Sequence, residues 1–226
     1  MAFLDERGKE KLSAAIEAVE ARSRAELVVV VREAAGNYRD TELIVGGALA
    51  WAALAFMLYS SFSFALHWFL VYPPLLVLVA VGVFMAAPGL RGLFVGEARK
   101  QAAAERAAAA CFFDKGIRHT RERTGILVYV ACFEQQVVIL ADAGITSQVP
   151  EDEWSRALAP LRAVFHDEGD ASLLAERITA LEAPLASWCE VREDDIDELS
   201  NAIDDGSEGE NEDENEDELE DEEVGR

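Results

Sequence analysis

Residues 43–90 read LIVGGALAWAALAFMLYSSFSFALHWFLVYPPLLVLVAVGVFMAAPGL, 48 residues without an Asp, Glu, Lys or Arg. A membrane-spanning helix needs about 20 apolar residues, so this run holds two helices and a turn. The helices are expected near Leu43–Tyr59 and Pro73–Ala87, with Ser60 to Trp68 between them. Pro73 and Pro74 suit the first turn of a helix, where a missing N–H costs little. Pro88-Gly89 stops the second helix, and Tyr59, Trp68 and Tyr72 gather around the turn as interfacial aromatics do. A domain this small could not cover two uncharged helices on every side. The run therefore reads as a transmembrane hairpin, and the lipid bilayer is the first expected partner. With no acid or base in either helix and only His67 at the turn, it reads as an anchor rather than a pore or proton relay.

The flanks set the orientation. Arg32 and Arg39 precede the hairpin, Arg91, Arg99 and Lys100 follow it, and the turn has no Lys or Arg. By the positive-inside rule both flanks, and both termini, face the cytoplasm, as in a bacterial inner-membrane protein. The start, Met1-Ala2-Phe3-Leu4-Asp5-Glu6-Arg7, lacks the basic-then-apolar order of a signal peptide.

Flanks on the same side can form one domain. Residues 4–21 carry Leu4, Leu12, Ile16 and Val19 at helical spacing. Glu26-Leu27-Val28-Val29-Val30-Val31-Arg32 is a buried strand bounded by charge. After the hairpin, residues 97–123 are rich in Ala, Arg and Glu and read as helix, broken at Asp114-Lys115-Gly116. Gly125–Ala131 and Gln136–Asp142 are strands joined by a short connection, expected to pair antiparallel. Pro150-Glu151-Asp152-Glu153-Trp154 opens a helix with acids in its first turn, and a further helix covers about Ala171–Trp188 with a kink expected at Pro184.

The order predicts an α/β fold: a small sandwich with a short mixed sheet covered by helices, interrupted by the hairpin. One helix and one strand are not a core, so residues 1–42 and 91–189 are expected to form a single discontinuous domain, with residues 43–90 inserted in it.

The chain has 226 residues and 43 acids against 20 bases, for a formal charge of −23. That excludes a nucleic-acid binder working by bulk basic charge. The imbalance is local: 20 of the acids lie in residues 190–226, against Arg192 and Arg226. This stretch reads as a disordered acidic tail whose loss should leave the fold unchanged. Cys111, Cys132 and Cys189 are far apart, without the spacing of a disulfide framework or zinc site. His67, His119 and His166 share no motif, and there is no G-x-S-x-G, P-loop or H-E-x-x-H.

Several stretches, in this order, carry a family resemblance. They are Ala21-Arg22-Ser23-Arg24-Ala25-Glu26 before the Val-rich strand and Tyr38-Arg39-Asp40-Thr41-Glu42-Leu43 entering the hairpin, then Glu122-Arg123-Thr124-Gly125 through Val130. Ile139-Leu140-Ala141-Asp142-Ala143-Gly144-Ile145 and Val149-Pro150-Glu151-Asp152-Glu153-Trp154 complete the set. The chain resembles the TPM-domain family (the thylakoid lumen protein, photosystem II repair factor and nematode receptor modulator type), in its bacterial membrane-hairpin form. The resemblance spans roughly residues 4–200. It implies an α/β sandwich, and in some members calcium binding or acid-phosphatase-like activity. Glu26 and Asp142 carry over; Ala143 stands where the family often has a basic residue, and Ser23-Arg24-Ala25-Glu26 where it often has Ser-Gly-Glu.

The residues themselves permit a site there. If the first two strands run parallel and the third runs back, Glu26, Thr124 and Asp142 converge at one sheet edge. Glu26 and Asp142 are then metal-ligand candidates for calcium or another divalent cation, and such a metal could bind a phosphate. Alternatively the two carboxylates cap strand ends or pair with Arg24 or Arg123. The functions left open are a cytoplasmic-face binding or regulatory module, with a membrane protein or cation as partner, and a metal-assisted phosphatase acting on phosphate esters.

Overall fold

The computed structural model describes residues 3–167, 169–189 and 203–205. It divides into two compact units, one from residues 1–35 and 102–226, the other from Gly36–Gln101.

The first unit is built on three strands: β1 (Glu26–Arg32), β2 (Gly125–Ala131) and β3 (Gln136–Ala141), in the order β1-β2-β3. β1 pairs parallel with β2, Glu26 opposite Gly125 and Arg32 opposite Ala131. β2 pairs antiparallel with β3, Ile126 opposite Ala141. The sheet is thus mixed, and its parallel pair joins strands from the two sides of the apolar run. A parallel pair needs a long crossover, and here the crossover contains the whole second unit.

Alternation along β1 splits its valines between two cores. Leu27, Val29 and Val31 face a core shared with α1 (Glu6–Glu20), α7 (Glu151–Arg162), α8 (Ala171–Thr179) and α9 (Glu182–Trp188), where Leu12, Ile16, Leu158, Leu161, Leu174, Ile178 and Leu185 are fully buried. Val28 and Val30 face Ala104 and Ala108 of α5 (Glu97–Asp114) and Ile117. Both faces covered is what a continuous Val run implies. Asp5 caps α1 by accepting the Gly8 N–H at 2.6 Å, and Asp170 caps α8 by accepting that of Leu173 at 3.0 Å.

The expected helix over residues 171–188 is two helices, broken at Ala180-Leu181 rather than kinked at Pro184. Pro184 sits in the first turn of α9, where no intrahelical bond is lost. The break after α5 falls where expected, with Gly116 in the left-handed region at φ 65°. α4 (Arg91–Phe94) and α6 (Ala143–Thr146) are single turns.

In the second unit α2 (Arg39–Tyr59) and α3 (Leu66–Ala86) are 21 residues each, and both are long and apolar enough to cross a membrane. They pack where Gly46 lets the helices close: a Cβ there would lie 3.1 Å from the Val77 backbone and 3.3 Å from Ala80 Cβ. The second helix begins earlier than the prolines suggest. Pro73 and Pro74 lie inside α3, and Trp68 and Tyr72, stacked at 4.7 Å, are on the helix rather than in the turn. Proline inside a long apolar helix is tolerated where neighbouring groups take up the freed carbonyls. Arg91 pairs with Glu42 at 2.5 Å, and Arg99 grips both oxygens of Asp40 at 2.8 Å while lying over the Tyr38 ring.

Most of the acidic stretch lies outside the described residues. The part that is described corrects the expectation of a free tail: Asp204 forms a parallel bridge with Val30. Ile203 packs on the α1 side of the sheet, and Asp204 is buried. The outer edge of β1 and three nearby cations are enough to hold a segment that composition alone assigns to solvent.

Candidate functional site

Glu26, Thr124 and Asp142 do meet at one edge. Gly125 opens β2 directly between the other two. Glu26 is its partner across β1, and the Asp142 N–H donates to the Gly125 carbonyl at 2.9 Å. The Glu26 N–H donates to the Thr124 carbonyl at 3.3 Å, and the Thr124 N–H to Thr120 Oγ1 at 3.0 Å. Glu26, Thr124 and Asp142 are all buried.

The loop between residues 120 and 124 is pressed onto this edge. A Cβ on Gly125 would collide with the carbonyl of Ile117, and one on Gly144 with the carbonyls of Glu122 and Arg123. Only glycine allows both approaches. Gly144 N–H in turn donates to the Arg123 carbonyl at 2.8 Å, and Arg123 is held in the left-handed region at φ 58°. A non-glycine residue there stores strain that the surroundings must impose.

That conformation aims Arg123 at Asp142. Arg123 Nη2 donates to Asp142 Oδ1 at 2.8 Å and Nε donates to Oδ2 at 3.1 Å, a two-pronged pair. The Ala143 N–H donates to Asp142 Oδ1 at 2.6 Å, so the same carboxylate starts α6. Arg24 pairs with Glu122 beside it. Both oxygens of Asp142 are therefore taken by protein donors, and the described residues contain no group of three His, Cys, Asp or Glu side chains placed to hold a metal. In this arrangement Arg123 and the Ala143 N–H occupy the Asp142 carboxylate. The Arg123 side chain is nevertheless 59% exposed, so it can leave without uncovering a buried charge of its own.

The opposite end of the parallel pair differs. A cavity of about 530 Å³ there is lined by Phe3, Lys9, Val31, Cys132, Phe133 and Asp205 among others. Burial, with Glu33 and Glu134 nearby, pushes the Cys132 thiol up to about 11, so it stays protonated at neutral pH. Glu134 is fully buried in the turn after β2, and both its oxygens accept the Ala35 N–H at 3.0 Å. Sequence reasoning passed over Glu134 because a carboxylate in a short strand connection reads as solvated. It also passed over Arg32 as a binding residue. The available signal was Ile203, an apolar side chain directly before Asp204-Asp205.

No family model matches the chain, and no curated protein does. Among solved structures, the chain is similar to the NMR structure of BA42 protein from the psychrophilic bacterium Bizionia argentinensis, with a TM-score of 0.55 over 90% of this chain and 96% of that one. At 19% identity this likeness shows a shared fold and nothing about activity.

Proposed function

We propose that this protein is a membrane-anchored TPM-type module whose α/β unit serves as a binding or regulatory domain at the cytoplasmic face. The observation that carries this reading is an apolar hairpin, exposed on nearly all sides, inside the crossover of a single sheet. Leu43, Ile44, Trp51 and Leu58 on α2, and Leu66, Leu70, Leu78 and Met85 on α3, are largely exposed. Only 28% and 11% of the most apolar windows of the two helices are buried, whereas a soluble core helix is mostly buried. Exposed apolar area on that scale needs a partner, and its length matches a bilayer.

A divalent cation at the Glu26–Asp142 edge would compete with Arg123 for the Asp142 oxygens. Two measurements test the membrane reading. The chain should stay with the membrane pellet after carbonate extraction. Ser61→Cys should make it reactive to an impermeant maleimide added outside intact cells, while the parent chain stays unlabelled. Labelling only after the cells are opened would reverse the orientation, and release into the carbonate supernatant would end the anchor.

A further inference from the structure

The edge of β1 that faces away from β2 is dressed along its length. Glu20 Oε1 accepts the Leu27 N–H at 3.0 Å. Further along, Val31 N–H donates to the Asp204 carbonyl at 2.9 Å and Asp204 N–H donates to the Val29 carbonyl at 3.3 Å. Asp204 thus forms an isolated parallel bridge with Val30, with Ile203 and Asp205 on either side of it.

The side chains of these three residues alternate as a strand requires, and each meets a matching surface. Ile203 packs with the core on the α1 side. Asp205 returns to that side and pairs with Lys9 at 2.7 Å. Asp204 points to the opposite face. Arg32 Nη1 and Nη2 donate to its Oδ1 and Oδ2 at 2.6 and 2.9 Å, and Lys115 Nζ reaches Oδ2 at 2.5 Å. Arg32 Nη1 also reaches the Asp204 main-chain carbonyl at 3.1 Å. The Asp204 carboxylate strengthens the hold of Arg32 on its proton. Main-chain bonds supply adhesion here, and the apolar contact and the two cation sites supply selectivity, as in recognition by strand addition.

We propose that the outer edge of β1, with Lys9, Arg32 and Lys115, is a docking surface for an extended acidic peptide of the order apolar–acid–acid, and that the chain fills it in cis with Ile203–Asp205. A segment tethered to its own site has an effective concentration in the millimolar range. A peptide in trans is therefore excluded until the tethered segment is weakened. The surface depends neither on the membrane reading nor on a cation at the Glu26–Asp142 edge.

The test uses the full chain in detergent micelles with chelator present, so that failure of either other reading does not affect it. The probe is a fluorescent peptide with the sequence of residues 199–208. Asp204→Ala should bind it at least ten-fold more tightly than the parent chain does, and adding Arg32→Ala should remove that gain. Amide exchange supplies the second readout. Val31 should exchange at least ten-fold faster in Asp204→Ala than in the parent and slow again when the peptide is added, while Val128 in β2 stays protected in both. Should Val128 lose protection, Asp204→Asn, which keeps the side-chain shape, replaces Asp204→Ala in both assays. Equal peptide affinity for parent and variant, or Val31 exchange indifferent to both substitution and peptide, overturns the proposal.

Discussion

Two aspartates of this protein are each held by an arginine fork, and they differ in almost everything else. Asp142 follows β3 directly, caps α6, and is gripped by Arg123, which comes from a loop pinned to the same edge and is 59% exposed. Asp204 comes from far along the chain, bridges the opposite edge of the sheet, and is gripped by Arg32, 31% exposed, with Lys115 as a second cation. The first pair is local and can open by swinging one solvated side chain. The second ties a remote segment to the sheet, so that opening it releases main-chain bonds, an apolar contact and three ion pairs together. The same two-residue chemistry therefore makes an exchangeable site in one place and a clasp in the other.

Truncation after Ala202 should have the largest effect. It removes Ile203, the Asp204 bridge and the pairs with Arg32, Lys115 and Lys9. The expected loss is about 3 kcal/mol, read from urea unfolding in micelles. A change below about 0.5 kcal/mol would return residues 203–205 to solvent. Asp204→Ala alone should cost about 2 kcal/mol, because a largely buried carboxylate leaves two cations without their partner. Asp142→Ala should cost about 1 kcal/mol, chiefly the lost cap, since its arginine partner is 59% exposed and screened by solvent. Equal losses, or a larger one at Asp142, would break the comparison.

How much of this was legible beforehand follows the same divide. The β1 valine run, the β2–β3 hairpin, the acidic first turn of α7 and the uncharged run are statements about neighbours in sequence, and each is read from spacing and residue type. The parallel pairing of β1 with β2 needed one step of topology, which also brought Glu26, Thr124 and Asp142 together. Pro73 and Pro74 misplaced the start of α3 because proline is favoured in a first helical turn, whereas here the helix runs through both from Leu66. The pairing of Asp204 with Arg32 joins residues 172 positions apart, and no period or motif connects them. Composition assigned that segment to solvent, and only the three-dimensional edge of β1 supplies a reason for it to dock.

The exchangeable site can be sharpened with calcium. If a cation competes with Arg123, Arg123→Ala should increase the rise in melting temperature given by calcium over chelator, because a ligand stabilises the state that binds it. Asp142→Asn should abolish that rise. Curves unchanged by calcium in both the parent and Arg123→Ala would leave the edge as a strand cap.

The smallest effect concerns Cys132. Its thiol is raised to about 11 in the folded chain, while in the unfolded chain it ionises near its ordinary value. Between those values the unfolded chain loses a proton that the folded chain keeps, so stability is full below the ordinary thiol pKa and falls as the pH rises toward 11. With the side chain partly exposed, the loss should stay below about 1 kcal/mol. Cys132→Ala should flatten that slope in unfolding measured between pH 8 and pH 11, and an unchanged slope would assign it to another group.

The central claim is that one sheet is assembled from both sides of the apolar hairpin. Replacing Leu43–Leu90 by a flexible Gly/Ser linker tests it most directly, with amide exchange followed at Val30 and Val128 in detergent-free buffer. The expected result is a soluble chain in which both amides are protected, because β1 and β2 still pair across the linker. A chain that stays soluble but exchanges both amides at unfolded rates, or one that still requires detergent, would contradict it.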